Sequence, residues 1–332
     1  MSIKSSLARV LARNKNNKNQ RIALMKGSGW LEMIASKNGE IIATEDIPLI
    51  DNNSSAGGSK DGSKDNNHDA LRTAVKTFCE QHEIEKPACT IVLAADGYQM
   101  LLVEAPPVEA QELAEALQWK VKDVLQTAIE DSIVDGFLLP DDAYRGRQKM
   151  AYTIATSRSE LQSLVDTLSE LDVEVDRVEV PELVLLQLLQ NYPREEQTEM
   201  VLLIGRQRGF LAVIADQAIY LSRSLELSDE VLQRSGARAL DANGPVDSFI
   251  LEVQRSRDYF ESQIGKGVVG RILLAPLVSD ATPIVEAIKE RLGADVELMD
   301  SSVLIPAVNA QGINSTMAGA EALLLASAAS AA

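Results

Sequence analysis

The sequence predicts an α/β fold of two lobes built to one plan, with a cleft between them. Two observations predict it. Three apolar strands joined by tight turns, followed by alternating helices and strands, occur from residue 21 and again from residue 200. Each run also places a glycine turn after its first strand. The turns are Met25-Lys26-Gly27-Ser28-Gly29 and Leu203-Ile204-Gly205-Arg206-Gln207-Arg208-Gly209. At 332 residues the chain is long enough for two such lobes.

Residues 1–20 form a basic leader. Lys4, Arg9, Arg13, Lys15, Lys18, Arg21 and Lys26 all precede the first acid, Glu32. Ile3, Leu7, Val10 and Leu11 have near-helical spacing, which suits a short basic helix on an anionic membrane surface. The Asn/Lys run that follows favours a plain basic tail. Strands are expected at 21–25, 30–35 and 41–44, with turns at Gly27–Gly29 and Asn38-Gly39. Residues 51–67 are Asn, Ser, Gly, Lys and Asp almost throughout and read as a flexible loop. A helix follows over 69–82, with Leu71, Val75 and Phe78 on one face. The near-continuous apolar run 89–94 then reads as a strand covered on both sides.

A small α+β subdomain is expected at 96–150, inserted in the first lobe. Its parts are a strand at 100–104, a helix over 108–127 with Trp119 packed at a seam, and strands at 134–139 and 149–155. A helix over 159–171, capped by Ser157 or Ser159, precedes a strand at 173–180. Pro181 opens a further helix that ends before Pro193. The first lobe thus spans 21–196 and the second 197–332. The second lobe holds strands at 200–204, 210–214 and 218–223, a helix over 246–263 and a strand at 271–275. A helix over 282–292, a strand at 295–299 and an alanine-rich closing helix finish the chain.

Composition narrows the function. A net charge of −17 excludes free nucleic acid, whose binding needs concentrated positive charge. Aromatic residues, at 4%, are too few for stacking platforms. Cys79 and Cys89 make no CxxC pair or zinc pattern, which fits a reducing compartment. Only His68 and His82 are present, too few for a multi-histidine metal site. The sequence shows neither a secretory signal nor an apolar run long enough to span a bilayer, and a cytoplasmic location is expected.

Leu251-Glu252-Val253-Gln254-Arg255-Ser256-Arg257-Asp258-Tyr259-Phe260 is similar to the E-x-Q-R-S-x-D-Y-F helix of the PilM family of actin-like proteins. Leu117-Gln118-Trp119-Lys120-Val121 is similar to the family's A-x-x-W-E helix. Residues 271–275 through 296–300 resemble its late strand-helix-strand. The resemblance covers nearly the whole chain from about residue 20. It is nearest the form found in mannose-sensitive haemagglutinin (MSHA) pilus systems, and the cytoplasmic part of the secretion protein GspL is a more distant relative. It implies a two-lobed actin-like ATPase (ribonuclease H-like) fold with a small inserted subdomain. It also implies a scaffold of type IV pilus assembly, peripheral to the inner membrane. The implied partners are a bitopic inner-membrane protein (PilN-like), held by its tail in a groove of the first lobe, and cytoplasmic motor ATPases.

In ATP-binding members the first hairpin reads Asp-x-Gly-Ser-x-x-x-Lys, with the aspartate orienting magnesium and turn N–H groups cradling phosphate. Here those positions hold Met25, Gly27, Ser28 and Glu32. The second reads Asp-x-Gly-x-Gly-Thr, and here begins with Leu203 and ends with Arg208. The late adenosine loop, normally glycine-rich, reads Leu274-Ala275-Pro276-Leu277-Val278. Thioether and leucine do not hold magnesium, and phosphoryl transfer depends on metal and positioned charge. The expectation is therefore a degenerate nucleotide site, no catalytic or metal residues and no cofactor. Gly27, Ser28, Gly205, Arg206 and Arg208 remain as vestigial phosphate turns able to meet an anion. The alternatives are an ATP-binding switch or ATPase of the same fold, or a type II secretion platform component. For Gly27, Gly29, Gly205 and Gly209 the simplest role is tight turning.

Overall fold

In the computed structural model, which describes residues 17–49, 62–144, 149–192, 198–300 and 319–330, each glycine-turn meander becomes one side of a five-stranded sheet. β1 (Asn17–Gly27), β2 (Trp30–Lys37) and β3 (Glu40–Pro48) pair antiparallel. Parallel strands β4 (Pro87–Val92) and β8 (Glu174–Glu179) complete the order β3-β2-β1-β4-β8. The second half repeats the plan. β9 (Thr198–Leu203), β10 (Gly209–Ala215) and β11 (Ala218–Leu225) form the meander, and β12 (Val269–Leu274) and β13 (Val296–Leu298) the parallel edge. The order is β11-β10-β9-β12-β13. β4 and β10 are buried at every position, as their unbroken apolar runs require. Asn38 and Gly39 take φ of 55° and 83°, a mirror-image turn whose twist matches its strands.

Helices fall where apolar spacing puts them. α1 (Gly62–Gln81) buries Leu71, Val75 and Phe78, starting earlier than expected within the polar stretch. α3 (Arg158–Glu170) is capped by the Ser157 hydroxyl, which accepts from the Glu160 N–H at 3.3 Å. α4 (Pro181–Leu188) opens on its proline. α5 (Asp229–Ser235) is a short helix that periodicity does not reveal, because its seven residues complete barely two turns. α6 (Pro245–Tyr259) runs on into a wider turn at 260–264, with Val253, Phe260 and Ile264 buried and Tyr259 half-buried. α7 (Thr282–Leu292) has the bounds read from the sequence.

The inserted subdomain is a three-stranded antiparallel sheet, β5 (Gln99–Glu104), β7 (Met150–Ser157) and β6 (Ser132–Leu138), in that order. α2 (Leu113–Val121) covers one face, and Leu117, Val121, Val134, Ala151 and Ala155 form a small separate core.

Four expectations are corrected. α2 is half the length expected: Ala114, Leu117 and Val121 are its buried positions, and of the residues that follow, Leu125 packs on the small core from outside the helix. Trp119 is 69% exposed, not packed at a seam. Residues 17–20 belong to β1 rather than to the leader, since they pair with β2 and β4; residues 1–16 lie outside those described. The closing helix α8 (Ala320–Ser330) lies not on the second lobe but on the first sheet, against β1, β2 and β4, and against α4. Its alanines let it approach the strands closely, and the Ser36 hydroxyl donates to the Ala329 carbonyl at 2.6 Å. Arg145 and Arg147 lie outside the described residues. Among the described residues no helix is long and apolar enough to cross a membrane.

Candidate functional site

The two glycine turns meet where the lobes meet. Strand periodicity places Trp30, Glu32 and Ser36 on one face of β2. The β1–β2–β3 register sets Met25, Glu32 and Asp46 side by side on that same face. α8 lies over it, so Glu32 is buried with only 4% exposed. Met25 and Leu203, which hold the positions of the metal-orienting aspartates, are core residues at 2% and 4% exposure.

Arg206, from the second turn, crosses to the first lobe. Its guanidinium stacks over the Trp30 ring, 4.7 Å from the centroid, and donates to Asp46 Oδ2 at 2.6 Å. Beside it Gln207 Nε2 donates to the Ser28 carbonyl at 3.4 Å. The main-chain N–H of Arg206 donates to Glu321 Oε1 in the first turn of α8. The glycines serve these contacts. A Cβ on Gly27 would stand 2.2 Å from Trp30 Nε1, and one on Gly205 would stand 2.6 Å from Glu321 Oε1. Gly29 alone of the four takes positive φ, 82°, to close the β1–β2 turn. The carbonyls of the second turn face the other way. Gly205 and Arg206 accept from the N–H groups of Asp229 and Glu230 at 2.9 and 3.0 Å.

Acids therefore surround one guanidinium. Burial pushes the Glu32 carboxyl up to about 8, helped by the negative field of Glu321 and opposed by Arg206. Burial also raises Glu321, although the Arg206 N–H pulls it back. Asp229, buried at the start of α5, is raised by burial against the opposing pull of Ser279 and the Val278 main chain. Burial alone would lower Arg206, but Asp46, Glu32 and Glu321 outweigh it and hold the guanidinium charged. Among the described residues no group of three or more His, Cys, Asp or Glu is arranged to hold a metal.

Arg208 is exposed, near enough to Tyr98 for its charge to act on the phenol. Tyr98 donates to Glu182 Oε2 at 2.8 Å, and burial raises Glu182 to about 6. So of the five residues the sequence marks, Gly27, Ser28, Gly205 and Arg206 come together and Arg208 does not join them. Trp30, Asp46, Glu321 and Asp229 complete the seam. One signal for Glu321 was visible: it is the only charge in an otherwise apolar helix.

The lobes touch at a second place, around the loop after β6. Lys266 pairs with Asp142 and, at 2.8 Å, with Asp216, and lies over the Tyr220 ring. Tyr220 donates to Asp142 Oδ1 at 2.7 Å. Tyr152 of β7 donates to the Ser222 carbonyl and accepts from the Ser222 N–H, at 3.2 and 2.7 Å.

No protein-family model and no curated protein sequence matches the chain. Solved structures do. One, the PilM-PilN type IV pilus biogenesis complex, is 16% identical with a TM-score of 0.71, over 94% of this chain and 99% of that one. A Bacteroides thetaiotaomicron protein of actin-like ATPase fold and unknown function is 12% identical, TM-score 0.51, over 92% and 96%. The cytoplasmic domain of EpsL, an inner-membrane component of the type II secretion system of Vibrio cholerae, is 15% identical over 94% and 96%, with a TM-score of 0.48. The chain has the two-lobed actin-like ATPase fold, with the inserted subdomain in its first lobe.

Proposed function

We propose that this protein is a cytoplasmic scaffold of type IV pilus assembly, PilM-like and most like MshI of the MSHA pilus, with a degenerate nucleotide site. The observation that carries the reading is the contact between the glycine turns. Where a two-lobed nucleotide-binding fold would open to triphosphate, Arg206 is stacked on Trp30 and paired with Asp46, and Gln207 reaches the Ser28 carbonyl. The nearby acids Asp46, Glu321 and Asp229 give the wrong sign for phosphate, and core side chains stand at the metal-orienting positions. On this reading magnesium triphosphate does not fit, and no catalytic step is assigned.

The fold-wide likeness to the PilM-PilN complex supports a role as docking partner. The partner would be a PilN-like inner-membrane protein whose cytoplasmic tail enters a groove of the first lobe, as an added strand or in an apolar trough. The scaffold would be peripheral to the membrane and would pass the connection on to cytoplasmic motor ATPases, with the basic residues that precede β1 assisting at the anionic leaflet. Contacts at more than one place between the lobes suit a rigid platform.

The test is affinity purification of the tagged full-length chain from detergent-solubilised membranes, with the bound proteins identified by mass spectrometry. The expected result is a bitopic protein of a type IV pilus system. Recovery of type II secretion components instead, or of no inner-membrane protein, would overturn the assignment.

A further inference from the structure

The second glycine turn is oriented before Glu321 reaches it. Its carbonyls at Gly205 and Arg206 are already taken by the N-terminus of α5. That leaves the Arg206 N–H turned toward α8, beside the Arg206 guanidinium, with no Cβ on Gly205 to fill the space. A main-chain donor, a cation and an open glycine flank make a small concave seat for an oxyanion. One oxyanion fills it, carried by the only charged residue of an Ala/Leu helix. An acid on such a helix is unfavourable unless something specific receives it. Its place in the first turn of α8 also sets the negative charge at the favourable end of the helix dipole.

We infer that Glu321 is a tethered anion: its carboxylate occupies a carboxylate-sized binding seat at Gly205–Arg206 and so pins the C-terminal helix, and with it the first lobe, to the second. The seat is a latent site for small monocarboxylates, kept shut by the chain's own side chain. Glu32 lies in the same cluster but holds its proton below about pH 8, so the charges that meet Arg206 there are Asp46, at its guanidinium, and Glu321, at its main-chain N–H. The inference rests on the seam being closed to nucleotide, and its test is separate. Nucleotide binding by the wild-type chain would overturn that reading, whereas the variants below address only the seat.

The experiment compares full-length wild type, E321A and E321Q at about pH 6.5, where Glu32 is neutral, in sodium chloride and in sodium acetate of equal ionic strength. E321A is expected to melt about 3–6 °C below wild type in chloride. Acetate should restore much of that loss with a saturating dose dependence. Wild type and E321Q, whose seats are filled by a side chain, should not respond. E321Q keeps the length and the acceptor but loses the charge, so it should still melt below wild type. A W119F background leaves Trp30 as the only tryptophan, so its emission reports whether the seam has opened. An acetate response equal in wild type and E321A would overturn the inference. If E321A does not fold, E321Q decides: stability at or above wild type would refute a role for the charge, and a clear loss would support it.

Discussion

Two of the places where the lobes touch differ in character. At the glycine-turn seam a buried acid lies beside a half-buried ion pair: Glu32 is 4% exposed, while Arg206, stacked on an indole face, and its partner Asp46 each keep about 30% of the side chain in water. At the loop after β6 the acids stand in water: Asp142 is half exposed and Asp216 more so, with Lys266, about as exposed as Arg206, between them. The same residue types do different things in the two settings. In water an ion pair is screened and contributes little. Away from water each charge depends on its partner, and removing one leaves the others uncompensated. The seam should therefore decide whether the lobes hold together, and the outer latch should only trim their angle.

The sharpest way to break that contrast is R206A. It removes the indole stack and the Asp46 pair, and it leaves Glu32 and Glu321 without their nearby cation. A loss of about 1.5–3 kcal/mol is expected in chemical denaturation, from the stack and the half-buried pair together. A loss below about 1 kcal/mol would place the seam with the exposed latch.

A second test uses pH. The folded Glu32 value, about 8, lies above the 4.5 of an exposed glutamate. Between those values the folded state holds a proton that the unfolded chain has released. Stability therefore falls as pH rises from about 4.5 through about 8, and stays low above that. E32Q cannot ionise and should lose this slope. It should match wild type near about pH 5 and exceed it by up to about 4 kcal/mol near about pH 9. Parallel stability–pH curves for the two proteins would show that Glu32 is not the buried acid described here.

G27A is expected to be milder. The new methyl meets the Trp30 ring, which has to tilt away from Arg206, at a cost of about 1–3 kcal/mol. Blue-shifted, unchanged Trp30 emission in a W119F background would argue against that close approach. K266A should show the smallest effect of all, and it should vanish at ~0.5 M salt. A large, salt-independent loss would reverse the ranking of the two contacts.

Much of the fold was legible because it depends on local pattern. The Gly27–Gly29 and Asn38-Gly39 turns, the unbroken run at β4, the Ser157 cap and the bounds of α7 all follow from short stretches of sequence. α2 was over-extended because its amphipathic spacing continues past the point where the subdomain has core to offer. The seat of α8 was hidden because an alanine-rich helix shows no polar face to say which lobe it covers. The site divides in the same way. Gly27, Ser28, Gly205 and Arg206 were marked by turn chemistry. Trp30 and Asp46 were not, and Glu321 only as a lone charge in its helix, since the partners that define them lie about 115 to 176 residues away along the chain.

The account's central claim is that the space between the hairpins belongs to the chain's own side chains. Titration calorimetry of Mg-ATP into the full-length wild-type protein tests it most directly. The account predicts no saturable binding up to about 1 mM nucleotide. A saturable isotherm with a Kd of about 100 μM or tighter, lost in R206A, would contradict it.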